Sequence, residues 1–284
     1  VSPKDRWIGT HWTTAHALQV ASELEVIDRG RVVYLVQDYE PGFHAWSTEY
    51  ALAEDTYRAG FMHVVNSSPV AQYLREQTTA DVHELHVFRP ELDLERLQSV
   101  AARRSRFTGA PRILFYARPN KPRNLFRIGM SALSLAGEEL ISRGVRAEFR
   151  TAGDSHPVPK TGPLKDARVL GKLAWGEYFT ELQSSDILLS LQFSPHPSHP
   201  PLDAIVSGAY AVTNELGSAR GNLHPRLIAT APTPEALADG LLGAIDKLAE
   251  GATPGLYTPE VLASLGRPMR DVAASVAEEL ERVL

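Results

Sequence analysis

Several short segments of this chain carry residue types that packing alone does not explain. The stretch RILFYARPNKPRN (residues 112–124) runs from an apolar strand-like piece into Arg118, with Lys121, Arg123 and Asn124 close behind. A cation at the carboxyl end of a strand, beside a helix amino terminus, suits a phosphate or diphosphate. Pro119 and Pro122 stiffen that loop. The plainer reading is a solvated basic loop on an acidic protein. Gly171-Lys172-Leu173 repeats the arrangement after a second strand. Lys172 would add a point charge to the same phosphate, and Gly171 would let backbone approach a flat base. An exposed lysine is otherwise simply solvated.

The most distinctive segment is FSPHPSHPPLDAIVSG (residues 193–208), where Pro195, Pro197, Pro200 and Pro201 impose an extended loop before a short helix. Loops held rigid at strand ends commonly position something. Phe193, Ser194 and Asp203 are its candidate ligand contacts, with Asp203 expected in the first helical turn. There Asp203 would either complement the helix dipole or accept hydrogen bonds from a ribose-type hydroxyl. His196 and His199 raise a metal, but the interleaved prolines deny them a shared helical face, so no metal is expected.

Gln37-Asp38-Tyr39-Glu40-Pro41 follows another strand. Asp38 and Glu40 could orient or deprotonate a hydroxyl acceptor. Phe43, His44, Trp46 and Tyr50 could wall a sugar site, because aromatic faces match the apolar faces of sugars. The alternative is a capped turn with ordinary core aromatics. In the segment THWTTA (residues 10–15), Thr13 or Thr14 would cap a helix, and Trp12 would be either core or cleft wall.

These segments need elements to hold them. Short continuous apolar runs predict strands at residues 7–10, 31–37, 62–66, 83–87, 112–118, 146–151, 168–172, 185–192, 210–213 and 227–230. Helical spacing falls at 47–59, after a Ser68 cap, within 91–106, and at 124–143, 175–182, 201–207, 234–249 and 259–284. Gly144 marks the end of the long helix. Strand–helix alternation of this kind implies parallel sheets covered on both faces, with ligands beyond the strand carboxyl ends. Two such series predict two doubly wound, Rossmann-like domains facing a cleft, residues 1–108 and 109–255, followed by a last helical segment in residues 256–284.

Composition narrows the classes. Apolar residues are 43% and charged residues 22%, ordinary globular usage, and the net charge is −5. No basic footprint invites nucleic acid. With no cysteine, disulfides, thiolate metal sites and a thiol nucleophile are excluded. No apolar run reaches the roughly 18 residues of a membrane span, and no signal-peptide pattern follows Val1. P-loop, G-x-G-x-x-G, G-x-S-x-G and H-E-x-x-H patterns are absent.

Taken in order, QDYEP, VVNSSPVAQYLRE, ILFYARPNKPRN and the run from LGKLAWGEYF through SPHPSHPPLD to SGAYAVTN make the chain similar to the WsaF-type bacterial rhamnosyltransferases. The resemblance covers most of residues 7–240 and implies a GT-B fold, with residues 1–108 on the acceptor side, residues 109–255 binding the nucleotide sugar and the helix in residues 256–284 packing back across the domains. It also implies transfer of L-rhamnose from dTDP-rhamnose to a glycan or lipid-linked glycan acceptor. No cofactor is expected. A cytoplasmic location follows, with room for peripheral association at the inner membrane face. Arg118 and Lys172 match the cations at the donor diphosphate, and Leu173, Phe193, Ser194 and Asp203 belong to the donor side. Asp203 stands where the family usually has Glu, and Pro195 stands where the wider GT-B pattern has a second Glu. Asp38 and Glu40 fall to catalysis, Trp12, Phe43 and Trp46 to the acceptor side. An inverting enzyme needs a base; a retaining front-face reaction does not. A full GT-B amino-terminal domain has several strands before Trp7, so that domain is expected to be incomplete here. The alternatives are a UDP- or GDP-sugar transferase, a non-catalytic sugar- or nucleotide-binding module, and a periplasmic-type binding protein.

Overall fold

The computed structural model describes residues 2, 5–217, 220–251 and 258–282. Its contacts divide the chain into two units. The first comprises Val1–Glu91, Ser194–His196 and Leu262–Leu284; the second comprises Leu92–Phe193 and Pro197–Val261.

In the first unit, β1 (Trp7–Gly9), α1 (Trp12–Glu23), β2 (Val32–Val36), α2 (Thr48–Asp55), β3 (Met62–Asn66), α3 (Ser68–Gln77) and β4 (Val87–Phe88) follow one another. The four strands pair in parallel in the order β1-β2-β3-β4. Side chains of a strand alternate between faces. Tyr34 and Val65 therefore point to one side, into a core with Tyr57, Val70 and Leu74. Val33 and Val64 point to the other.

Local chemistry moves two expected caps. The His11 side chain, not Thr13 or Thr14, caps α1, and Thr14 Oγ1 reaches back to the His11 amide. Ser67 rather than Ser68 precedes α3, with a positive φ of 83°, so Ser68 and Pro69 are already helical. The expected strand at 83–87 is a single 3-10 turn, Glu84–His86, before the two-residue β4. The His83 ring accepts from the Leu85 amide and bends the chain there.

The second unit runs α4 (Leu94–Arg103), β5 (Arg112–Ala117), α5 (Phe126–Ser142), β6 (Glu148–Gly153), β7 (Arg168–Val169), α6 (Trp175–Ser184), β8 (Ile187–Leu189), α7 (His199–Val206), β9 (Tyr210–Asn214), β10 (Leu227–Thr230) and α8 (Pro234–Ala249). Its six parallel strands lie in the order β10-β9-β8-β5-β6-β7. From the β5/β8 pair the chain winds outward in both directions, which makes that pair the topological switch point of a doubly wound sheet. One face packs Ile113, Phe115, Leu189 and Val212 against Leu133, Leu140 and Leu241 of α5 and α8. Helices α4, α6 and α7 lie together and cover the other face.

The expected boundary at residue 108 is displaced: α4 belongs to the second unit. Arg104, just beyond α4, explains this. Its guanidinium donates to the Ser207 and Leu182 carbonyls, each at 3.0 Å, and to the Ser185 carbonyl. Burial pulls its pKa down to about 10. The boundary expected at 255 lies outside the described residues.

The expected helix 259–284 is two helices, α9 (Thr258–Leu265) and α10 (Met269–Arg282). Gly266 and Pro268 break it, and Arg267 between them pairs with β4 through its amide to the Val87 carbonyl, 3.0 Å. Residues 283–284 lie outside the described residues. Val272, Val276 and Leu280 of α10 cover Val33 and Val64 of the first sheet. Each buried aliphatic side chain there contributes roughly 1.5–3 kcal/mol.

Candidate functional site

The carboxyl edge of the second sheet gathers most of the donor-side candidates. Arg118 leaves β5, Gly171 and Lys172 extend β7, and Phe193 follows β8. β6 lies between the first two, so Arg118 and Lys172 are separated by one strand rather than sitting on adjacent ones. The strand ends are tightly laced: the Asp154 amide donates to the Ala117 carbonyl and the Gly153 amide to the Gly171 carbonyl, both at 2.9 Å. A side chain on Gly153 would sit 2.2 Å from the Ala117 carbonyl oxygen, and its φ of 129° also demands glycine. Gly171 has a positive φ of 68°. Bare backbone thus flanks the two cations. The side chains of Arg118 and Lys172 make no hydrogen bond or ion pair among the described residues.

At the switch point the loops after β5 and β8 hold each other. The Phe193 amide donates to the Arg123 carbonyl at 2.6 Å, and buried Asn124 donates to the Leu191 carbonyl at 3.0 Å. Behind them, Asn214 exchanges two hydrogen bonds with the Gln192 backbone, and buried Arg220 donates to the Asn214 and Gln192 carbonyls at 2.6 and 3.0 Å. Phe193 itself is 47% exposed. Sequence reasoning missed Arg220 and Asn214, because nothing in a polar loop marks an arginine as buried.

α7 begins at His199, two residues earlier than expected, so Asp203 lies in its second turn rather than its first. It is 4% exposed, and its Oδ2 accepts the Tyr178 hydroxyl of α6 at 3.0 Å. Burial pushes the Asp203 carboxyl up to about 7; the Tyr178 bond lowers it and nearby Asp93 raises it. Tyr178 was not marked in the sequence, where it is one aromatic among several on its helix. Leu173 is half-buried just before α6.

The first unit is arranged differently. Asp38, after β2, is buried, and its Oδ1 accepts the Tyr39 amide at 2.8 Å and the Ser194 hydroxyl. Ser194 in turn accepts the His196 amide at 3.1 Å. Ser194 is therefore brought to Asp38, although the two were assigned to different sides of the reaction. Glu40 turns inward: it is 3% exposed, and its carboxylate accepts the Trp12 amide and the Tyr34 hydroxyl. Burial raises its pKa, and those two donors oppose the rise. Trp12 is also buried, edge-on to His44. Phe43 is 40% exposed, and Trp46, 92% exposed, stacks on Tyr50 with ring centroids 5.7 Å apart.

A cavity of about 830 Å3 opens at the amino edge of the second sheet, beside Arg106, Leu140, Arg146, Phe149 and Lys165. It contains none of the candidate residues. Among the described residues no three histidine, aspartate or glutamate side chains cluster as metal ligands, and no helix is long and apolar enough to cross a membrane.

Family models described as "WsaF, N-terminal domain" and "WsaF, C-terminal domain" match residues 1–68 and 111–242. The O-antigen biosynthesis protein RfbC of Myxococcus xanthus is 32% identical over 213 residues, 74% of this chain. The chain spans only 16% of that relative's length. Among solved structures, a sucrose-phosphate synthase from Thermosynechococcus elongatus superimposes with a TM-score of 0.63 at 11% identity, over 97% of this chain and 73% of its own. An alpha,alpha-trehalose 6-phosphate synthase from Burkholderia multivorans gives 0.61 at 12%, over 100% and 72%. At such identities the likeness concerns the fold, which is the GT-B fold of glycosyltransferases.

Proposed function

The chain belongs to the WsaF family, and from that premise we propose that it serves as a glycosyltransferase in the assembly of a bacterial surface glycan, with dTDP-L-rhamnose as donor. The observation that carries the reading is the carboxyl edge of the second sheet. There two cations without side-chain partners among the described residues flank closely packed strand ends that carry glycines at positive φ.

The chemistry follows from those groups. Breaking the sugar–phosphate bond moves negative charge onto the leaving diphosphate, and pre-placed cations stabilise that charge without reorganising. Arg118 can grip phosphate oxygens in a fork, and Lys172 adds a point charge. Phe193, Ser194 and Leu173 would shape the donor site, and Asp203 would accept a sugar hydroxyl. Asp38 would orient the acceptor hydroxyl, its carboxylate fixed by Ser194. Glu40 would act through Trp12, tying the start of α1 to the end of β2. Phe43 and the Trp46–Tyr50 stack would offer flat faces to an acceptor glycan. A lipid-linked acceptor would bring the protein to the inner face of a membrane without a spanning helix.

Calorimetric titration of dTDP, UDP and GDP with EDTA present tests the donor assignment. Selective dTDP binding, followed by transfer from dTDP-rhamnose, is the expected result. Selective UDP or GDP binding would replace the donor. Nucleotide binding without transfer to any glycan would turn the reading into a binding module, and no binding would remove it.

A further inference from the structure

Asp203 is a buried carboxyl with one occupied oxygen. Oδ2 takes the Tyr178 hydroxyl at 3.0 Å, while Oδ1 has no hydrogen bond among the described residues. A carboxylate buried to this degree is retained at a cost unless a ligand completes its hydrogen bonding. Tyr178 comes from α6, directly after the Lys172 loop, and Asp203 from α7, directly after the Phe193 loop. The pair thus links the two loops assigned to donor binding.

We propose that Tyr178 is a positioning residue for donor recognition: its hydroxyl holds Asp203 Oδ2 in place and leaves Oδ1 to accept a hydroxyl of the donor's sugar. The inference rests on the donor site proposed above and deepens it. As a carboxylate, Asp203 is a much stronger acceptor for the sugar hydroxyl than as the neutral acid. A hydrogen bond to the charged form favours that form, so Tyr178 also governs the pH above which the sugar is held. Asp93 at the start of α4 acts on the same equilibrium and raises the carboxyl; Tyr116 of β5 acts on Tyr178, and His199, one turn earlier on α7, is shifted by its own burial.

The test measures affinity for an intact nucleotide sugar from pH 6 to 9 in the wild type, Tyr178→Phe and Asp203→Asn. An intact nucleotide sugar has no terminal phosphate monoester, which would itself titrate near pH 6. In the wild type, affinity rises through about pH 7, the value to which burial brings Asp203. In Tyr178→Phe the midpoint moves up by about one unit, giving roughly fivefold weaker binding at pH 7 that recovers at pH 9. Asp203→Asn removes the step. A Tyr178→Phe loss that stays constant from pH 6 to 9 marks a merely structural role and overturns the inference, as does an unmoved midpoint. Either result leaves the donor reading standing. Wild-type protein that binds no nucleotide sugar removes both.

Discussion

The carboxyl ends of the two sheets solve the same problem in opposite ways. Beyond β2, the acidic pair is satisfied from within: Asp38 takes the Tyr39 amide and the Ser194 hydroxyl, Glu40 the Trp12 amide and the Tyr34 hydroxyl. Beyond β5 and β7, half-buried Arg118 and exposed Lys172 have no side-chain partner among the described residues. Both pairs looked equivalent as charged residues after a strand. A charge already matched inside the fold contributes to stability, whereas an unmatched charge over bare backbone has capacity left for a ligand.

The largest expected effect is on the open edge. Replacing both Arg118 and Lys172 by alanine removes two charge-assisted contacts of about 1.5–3 kcal/mol each. Nucleotide affinity should fall at least about a hundredfold by calorimetry, with a melting temperature unchanged within error. Unchanged affinity would erase the contrast between the edges. The closed edge should behave inversely. Glu40→Ala strands the Trp12 amide and the Tyr34 hydroxyl in a buried site, at a cost of about 2–3 kcal/mol of unfolding free energy in urea. Nucleotide affinity should hold. A stable Glu40→Ala protein that loses turnover would return Glu40 to the catalytic machinery.

How much of this contrast was readable beforehand depends on the range of the interaction. The strands of the second sheet are short continuous apolar runs, such as ILFYA and DILLS, and the turn residues around them are local, so their order along the chain was evident. α8 was anticipated at its observed bounds because Thr233 and Pro234 mark its start. Caps were misplaced by one to three residues, since Ser, Thr and His compete for the same amides. Direction was not readable at all. Nothing in QDYEP says that Glu40 turns in toward Tyr34 while Asp38 meets Ser194, which lies 156 positions away. Tyr178 and Asp203 are 25 positions apart on different helices, and only packing of α6 and α7 onto one sheet makes them partners.

Asp203 gives the comparison a pH axis. Burial raises its folded-state carboxyl from 3.8 to about 7. A raised carboxyl means the folded state holds a proton that the unfolded state has released. Stability from this group is therefore complete below about pH 4 and is lost as pH rises through 7. Asp203→Asn, neutral throughout, should be more stable than wild type at pH 8 by up to about 4 kcal/mol and lose that advantage at pH 4. Equal urea midpoints at both pH values would mean that Asp203 ionises without cost.

The smallest expected effect belongs to Trp46. It is 92% exposed, so its indole adds little to folding, yet it stands parallel to Tyr50 at 5.7 Å, with Phe43 in the same segment. A wide exposed aromatic face is poorly used in water, and sugar C–H groups are its natural partner. Trp46→Ala should leave the melting temperature and the nucleotide affinity unchanged while raising the KM for a glycan acceptor about three- to fivefold, the loss of roughly 1 kcal/mol of stacking. The split between the two substrates is the informative part. A change in nucleotide affinity would place Trp46 with the open edge of the second sheet, and an unchanged acceptor KM would leave the aromatic face of the first unit without a glycan role.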